Sequence, residues 1–191
     1  MFPPETFRPL LEAFTELLRT NQIRFALTGG IASSYYGEPR YTQDIDILVD
    51  RVRLIEILTS VADEFQKAGY LTDRSRLADA VKAGRSFQLV HVVECLKLDI
   101  YPRELVPGEL TRAVTVEVFP GVHLPIVSLP DLAISKLVWI SRGSHKNRRD
   151  LRQLVRRMSA IEVQLVRTAA TERSLDVLLD EVLVEPDEFN E

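Results

Sequence analysis

The sequence predicts an α/β (α+β) fold followed by a C-terminal helical region, and three observations carry that prediction. Helix-spaced apolar residues open the chain, short period-two strands bounded by glycine and proline turns fill its middle, and helix-spaced apolar residues return after Pro130. A chain of 191 residues, 46% of them hydrophobic and 27% charged, suits one compact domain or one domain plus a small helical appendage. Residues 1–128 are expected to form the core and 129–191 a helical region packed on it, with an acidic tail from about 180.

From the N-terminus, Leu10, Leu11, Phe14, Leu17 and Leu18 recur at helical spacing and predict an amphipathic helix from Glu5 to Asn21. A short strand, Arg24 to Leu27, stops at Thr28-Gly29-Gly30, and Ile31 to Tyr36 reads as a short helix closed by Gly37. Asp44 to Val49 reads as a second strand, Arg51 to Ala68 as one long helix, and Phe87 to Val93 and Leu96 to Tyr101 as a strand pair. Val114 to Phe119 and His123 to Val127, separated by Pro120-Gly121, predict a hairpin on a sheet edge. Pro130 opens a helix running to about Ile140, and further helices are expected from Asn147 to Met158 and from Ser174 to Val184.

Composition narrows the function classes. The apolar run from Leu132 to Ile140 is interrupted by Lys136 and falls short of a membrane span of about 20 residues, so no membrane partner is expected. Met1 to Glu5 lacks the basic start of a secretory signal, and the single cysteine, Cys95, forms no internal disulfide; both readings favour a cytoplasmic protein. A formal net charge of -4 argues against indiscriminate nucleic-acid binding, although Arg142 to Arg157 holds seven bases against one acid and Asp180 to Glu191 holds six acids and no base.

The chemistry-bearing residues begin with Asp44-Ile45-Asp46-Ile47-Leu48-Val49. Alternation sets both aspartates on one face of the strand and Ile45, Ile47 and Val49 on the other. Two adjacent carboxylates repel unless cations share them, and Mg²⁺ is a hard ion suited to carboxylate oxygens, water and phosphates. A solvated edge strand is the plainer alternative for a bare Asp-x-Asp. Asp99 supplies a third acid on a later strand whose other face is Leu96, Leu98 and Ile100, leaving Cys95, Lys97, Asp99 and Tyr101 together. Three such carboxylates can fix two Mg²⁺ ions roughly 3.5 to 4 Å apart, although Asp99 paired with Lys97 or an arginine on the surface is the alternative. The turn Gly29-Gly30, between a strand and a helix, offers unhindered backbone N–H groups and a positive helix end to phosphate oxygens. Asp44 follows that turn after thirteen intervening residues, so turn and carboxylates can serve one ligand.

Taken together, residues 25 to 50, from Phe25-Ala26-Leu27-Thr28-Gly29-Gly30 through Arg40-Tyr41-Thr42-Gln43-Asp44-Ile45-Asp46, resemble the DNA polymerase β-like nucleotidyltransferase superfamily. Its mark is a Gly-Gly or Gly-Ser turn, a helix, an Asp-x-Asp or Asp-x-Glu strand and a later strand carboxylate. The Arg-x-Thr-x-Asp-x-Asp form, with the later Lys136 and Arg149-Asp150, resembles the abortive-infection (AbiE-type toxin) branch, and the resemblance covers about Ile23 to about Leu154. It implies a polymerase β-like core with a mixed sheet and transfer of a nucleoside monophosphate from an NTP, with two Mg²⁺ on Asp44, Asp46 and Asp99, to an acceptor hydroxyl. The acceptor would be RNA or tRNA, protein, or a small molecule such as an aminoglycoside- or lincosamide-like drug, and a cognate antitoxin is the implied partner. A non-catalytic nucleotide- or partner-binding module is the rival outside enzymes. Two departures bear on nucleotide choice: Gly30 stands where a serine is common, with Ser33 or Ser34 to replace its hydroxyl, and Arg149-Asp150 stands where Lys-Asp is common.

The C-terminal helices add candidates. Lys136 lies among Leu132, Ala133, Trp139 and Ile140, and an ammonium on an apolar face either meets a triphosphate or the base edge of a nucleotide, pairs with an internal acid, or snorkels along the core to solvent; the resemblance favours the nucleotide. On the next helix Leu151, Leu154, Val155 and Met158 are expected inward and His145, Arg149, Arg152 and Arg156 outward, with Asp150 at the border to orient Lys136 or an arginine. Arg40, just before the carboxylate strand, suits a phosphate contact or a structural one. His91 and His123 lack a second ligand at useful spacing and are expected to be structural, as is a packed Cys95.

Overall fold

The computed structural model describes residues 4–39 and 41–186; Arg40, open between a phosphate contact and a structural one, lies outside them. A 3-10 turn, Pro4–Phe7, leads into α1, Arg8–Thr20. The strands are β1 (Phe25–Thr28), β2 (Asp44–Val49), β3 (Tyr70–Leu71), β4 (Phe87–His91), β5 (Lys97–Tyr101), β6 (Val114–Phe119) and β7 (Val122–Ile126). The other helices are α2 (Gly29–Tyr36), α3 (Arg51–Glu56), α4 (Leu58–Lys67), α5 (Arg74–Ala83), α6 (Leu129–Ser141), α7 (Asn147–Arg156), α8 (Ala160–Glu172) and α9 (Asp176–Val184).

The chain divides into two compact units: Met1–Ala32 with Arg40–Val127, and Ser33–Pro39 with Ser128–Glu191. The first unit is built on one mixed sheet in the order β3-β4-β5-β2-β1-β7-β6. The centre of that sheet sets up the chemistry, because β2 runs antiparallel to β1 and parallel to β5. Period-two alternation then separates two faces: Ile45, Ile47, Leu89, Leu98 and Ile100 are at most 1% exposed, whereas Asp44, Asp46, Lys97, Asp99 and Tyr101 keep partial solvent access. Around the β3 edge, Phe14 of α1, Phe65 of α4 and Tyr70 of β3 form one aromatic cluster with ring centroids 5.3 to 6.5 Å apart. The expected β6–β7 hairpin is present, and β6 forms the sheet edge.

The structure differs from the sequence expectation in several places. The helix expected from Arg51 to Ala68 is two helices, interrupted at Ile57, whose backbone (φ -110, ψ 17) leaves helical geometry with neither proline nor glycine to mark it. Helix α5 and strand β3 lie in the stretch between that helix and β4 to which no element was assigned, and α8 occupies the gap after α7. Cys95, expected to pack, is exposed at φ 52 in the turn joining β4 to β5.

The second unit is helical. Leu132, Ala133, Ile134, Leu137 and Ile140 of α6 are buried with Leu151 and Leu154 of α7, Val166 and Ala170 of α8, and Leu179 and Val182 of α9. Ser128 caps α6 through the Asp131 N–H, and Ser159 and Glu162 form a capping box on α8. Arg152, expected on the outward face, is 5% exposed, because its guanidinium pairs with Glu185 at 2.9 Å. Arg148 donates to the same Glu185 carboxylate at 2.8 Å and reaches Glu181, so part of the basic stripe is neutralised by acids from the end of α9. No helix among the described residues is long and apolar enough to cross a membrane.

Candidate active site

Strand pairing assembles the site. Thr28 lies opposite Asp46 across the β1–β2 ladder, which brings the turn after β1 against the Asp46 side chain. Gly29 there has φ +56, and a Cβ on it would stand 1.8 Å from Asp46 Oδ2, so only glycine fits. The next amide, Gly30 N–H, donates to the same Oδ2 at 3.2 Å. The first turn of α2 thus faces a carboxylate, the arrangement that a helix N-terminus favours.

On the other side of β2 the parallel register places Asp46 beside Asp99, Asp44 beside Lys97 and Leu48 beside Tyr101. Carboxylate oxygens of Asp44, Asp46 and Asp99 all lie within 4.8 Å of one another, so the structure brings together the three acids expected to act together. Two residues that the sequence reading placed on that face without a catalytic task complete the cluster. The Tyr101 hydroxyl donates to Asp46 Oδ1 at 3.0 Å. Lys97 Nζ lies 3.0 Å from Asp44 Oδ2 and 3.4 Å from Asp99 Oδ2. The signal for both was their spacing of two residues on either side of Asp99.

The electrostatics follow from this crowding. Burial raises the Asp99 pKa above the ordinary carboxylate value, and the Asp44 and Asp46 charges add to the rise while Lys97 opposes it. Burial also works to lower the Lys97 pKa, but hydrogen bonding to Asp44 and the charges of Asp99 and Asp44 outweigh it, and the ammonium is held above its usual range. Burial, then the Asp46 charge, pushes the Tyr101 hydroxyl well above its usual value, so it remains a donor. Asp99 Oδ1 is buried and has no hydrogen-bond partner among the described residues. Three clustered carboxylates, one of them with a buried oxygen left over, form a donor set that a hard divalent cation satisfies, so these residues fit Mg²⁺.

A groove of about 590 Å³ opens elsewhere in the first unit, lined in part by Thr72, Arg76, Arg85 and Gln88. Gln88 stands opposite Asp99 in the β4–β5 ladder.

In the second unit, Lys136 is 4% exposed and donates to Asn147 Oδ1 at 3.0 Å and to Asp150 Oδ2 at 2.8 Å. Of the two anions weighed for Lys136, the internal acid is the one seen. Arg149 pairs with Glu38 at 2.9 Å on an exposed surface. Ser33 is buried and Ser34 partly so on α2. His91 packs its ring on Tyr70 at 5.2 Å and accepts the Glu94 N–H at 3.2 Å, and the His123 carbonyl accepts from Arg19 at 3.3 Å.

A family model described as nucleotidyl transferase AbiEii toxin, type IV toxin–antitoxin system, matches residues 14–186. The solution structure of the antibiotic-resistance factor ANT(2'')-Ia aligns over 91% of this chain and 95% of its own, with a TM-score of 0.61 at 13% identity. An antigenic nucleotidyltransferase-like protein from Paracoccidioides brasiliensis aligns over 95% of this chain and 94% of its own, with a TM-score of 0.59 at 17% identity. At these identities the likeness is one of fold. No curated protein matches the chain by sequence.

Proposed function

The chain belongs to the AbiEii family of nucleotidyltransferase toxins, and from that premise we propose that it moves a nucleoside monophosphate from an NTP, with Mg²⁺, onto a hydroxyl of RNA, tRNA foremost. The observation that carries this reading is the convergence of Asp44, Asp46 and Asp99 within 4.8 Å beside the Gly29-Gly30 turn. RNA as acceptor rests on the family's description as toxins, which calls for an essential cellular target, and the same description supports a cognate antitoxin as partner.

In the reaction, the acceptor oxygen forms a bond to the α-phosphorus while the bond from that phosphorus to the oxygen bridging it to the β-phosphorus breaks, releasing pyrophosphate. Asp44, Asp46 and Asp99 would hold Mg²⁺, which when bound supplies charge neutralisation for the triphosphate and acidifies the attacking hydroxyl. Asp99 takes the acceptor's proton as the new bond forms. Gly30 N–H and the Tyr101 hydroxyl fix Asp46, so its carboxylate enters the reaction already oriented. The backbone N–H groups of the first turn of α2 that Asp46 does not engage would receive phosphate oxygens, helped by Ser33 or Ser34 on the same helix.

Purified protein with Mg²⁺, each α-labelled NTP in turn and total cellular RNA tests the proposal, with Asp44→Ala/Asp46→Ala as comparison. Label entering RNA from one NTP, and lost in the double variant, is the expected result. Label entering an added aminoglycoside instead would move the acceptor to a small cationic drug, and nucleotide binding with no Mg²⁺ dependence would move the chain to a non-catalytic module.

A further inference from the structure

Asp46 accepts the Gly30 N–H at 3.2 Å and the Tyr101 hydroxyl at 3.0 Å. Asp44 and Asp99 share one cation, the Lys97 ammonium, at 3.0 and 3.4 Å. Lys97 stands opposite Asp44 in the β2–β5 ladder and two residues before Asp99, so the strand geometry delivers its stem to the face where both acids sit. Its side chain is 32% exposed, against 21% for Asp44 and 16% for Asp99, which leaves the four-carbon stem a way out toward solvent.

A divalent ion taken up by these acids would put a double positive charge close to the Lys97 ammonium, which already shares the Asp44 and Asp99 charge. The two cations repel. A bare ion therefore competes with Lys97 for the same pair of acids, whereas an ion arriving with a triphosphate brings the lysine a new anionic partner. We propose that Lys97 is a resident counter-ion that weakens uptake of a free divalent cation by Asp44 and Asp99 and makes that uptake conditional on bound nucleotide. This rests on the metal-dependent reading of the same carboxylates.

The signature is a pair of effects of opposite sign in Lys97→Met, which keeps the stem and removes the charge. In calorimetry with Mn²⁺ alone, the variant is expected to bind at least about tenfold more tightly than wild type, about 1.4 kcal/mol. Titrated with preformed Mn²⁺ complexes of the four α,β-methylene nucleoside triphosphates, it is expected to bind more weakly than wild type. Lys97→Arg, which keeps the charge, should stay near wild type for Mn²⁺ alone, and Lys97→Gln carries the same expectation as Lys97→Met should the latter fail to fold. Wild type taking up the Mn²⁺–nucleotide complex, with bare-Mn²⁺ affinity unchanged or weaker in the charge-removing variants, overturns this inference and leaves the metal-dependent reading intact. No Mn²⁺ binding by any variant, with or without nucleotide, overturns both.

Discussion

At the scale of single residues, the tightest constraint is at Gly29. Its φ of +56 costs a substituted residue about 1 kcal/mol, and a Cβ placed 1.8 Å from Asp46 Oδ2 forces either the helix start or the carboxylate to move. Gly29→Ala is expected to lower stability by at least that amount in urea unfolding, and to reduce label transfer more than about tenfold, because Asp46 is displaced. Retention of full activity would show that the close approach has no part in orienting Asp46. This residue was legible in sequence as a glycine between strand and helix, but the reason for it was not, since Asp46 lies far along the chain and only the β1–β2 register brings the two together. The same limit hid Lys97 and Tyr101. Alternation set them on the face of Asp99, whereas their bonds to Asp44 and Asp46 depend on the parallel pairing of β2 with β5, which no local pattern encodes.

At the scale of elements, α6 and α7 are joined through a buried ion pair between Lys136 and Asp150, whose side chains are 6% and 10% exposed. Removing one partner leaves an uncompensated buried charge, so Lys136→Met is expected to cost about 3 to 5 kcal/mol in urea unfolding, and Lys136→Met/Asp150→Leu to recover most of it. A double variant no better than the single would mean that the pair carries no coupling. The start of α3 responds to acid. Burial raises the Asp50 pKa, but the Arg24 guanidinium and the Arg53 and Val52 amides outweigh it and hold it below the ordinary value. Because the folded-state pKa is the lower one, this stabilisation is complete above the unfolded value near about 4 and disappears as pH falls through the folded value. Asp50→Ala should remove about 1 kcal/mol at neutral pH and nothing once the acid is protonated, the exposed Arg24 adding little beyond the cap; a difference that persists at the acid end of a series of thermal melts would contradict this. Strand β2 matched its expected bounds because every second residue is apolar. Helices α5 and α8 went unread because so few of their residues face a core, Leu77, Ala80 and Val81 in one, Val166 and Ala170 in the other.

At the scale of the whole molecule, a net charge of -4 conceals how the charges are used. The basic stretch around α7 and the acids at the end of α9 looked like separate surfaces in sequence, yet Arg148 and Arg152 spend their charge on Glu181 and Glu185. The carboxylates of the first unit are different: they crowd one face of the central strands, and burial together with mutual repulsion raises the Asp99 pKa. Crowding of that kind costs stability, and it is retained where cations and phosphates are handled. The most direct test is the rate of pyrophosphate release from each NTP with Mg²⁺ and total RNA, compared between wild type and Asp99→Asn. The expected result is a loss of at least about a hundredfold in the variant with a thermal melt no lower than that of wild type. Equal rates in the two proteins would contradict the assignment of the Asp44, Asp46 and Asp99 cluster as the centre of nucleotidyl transfer.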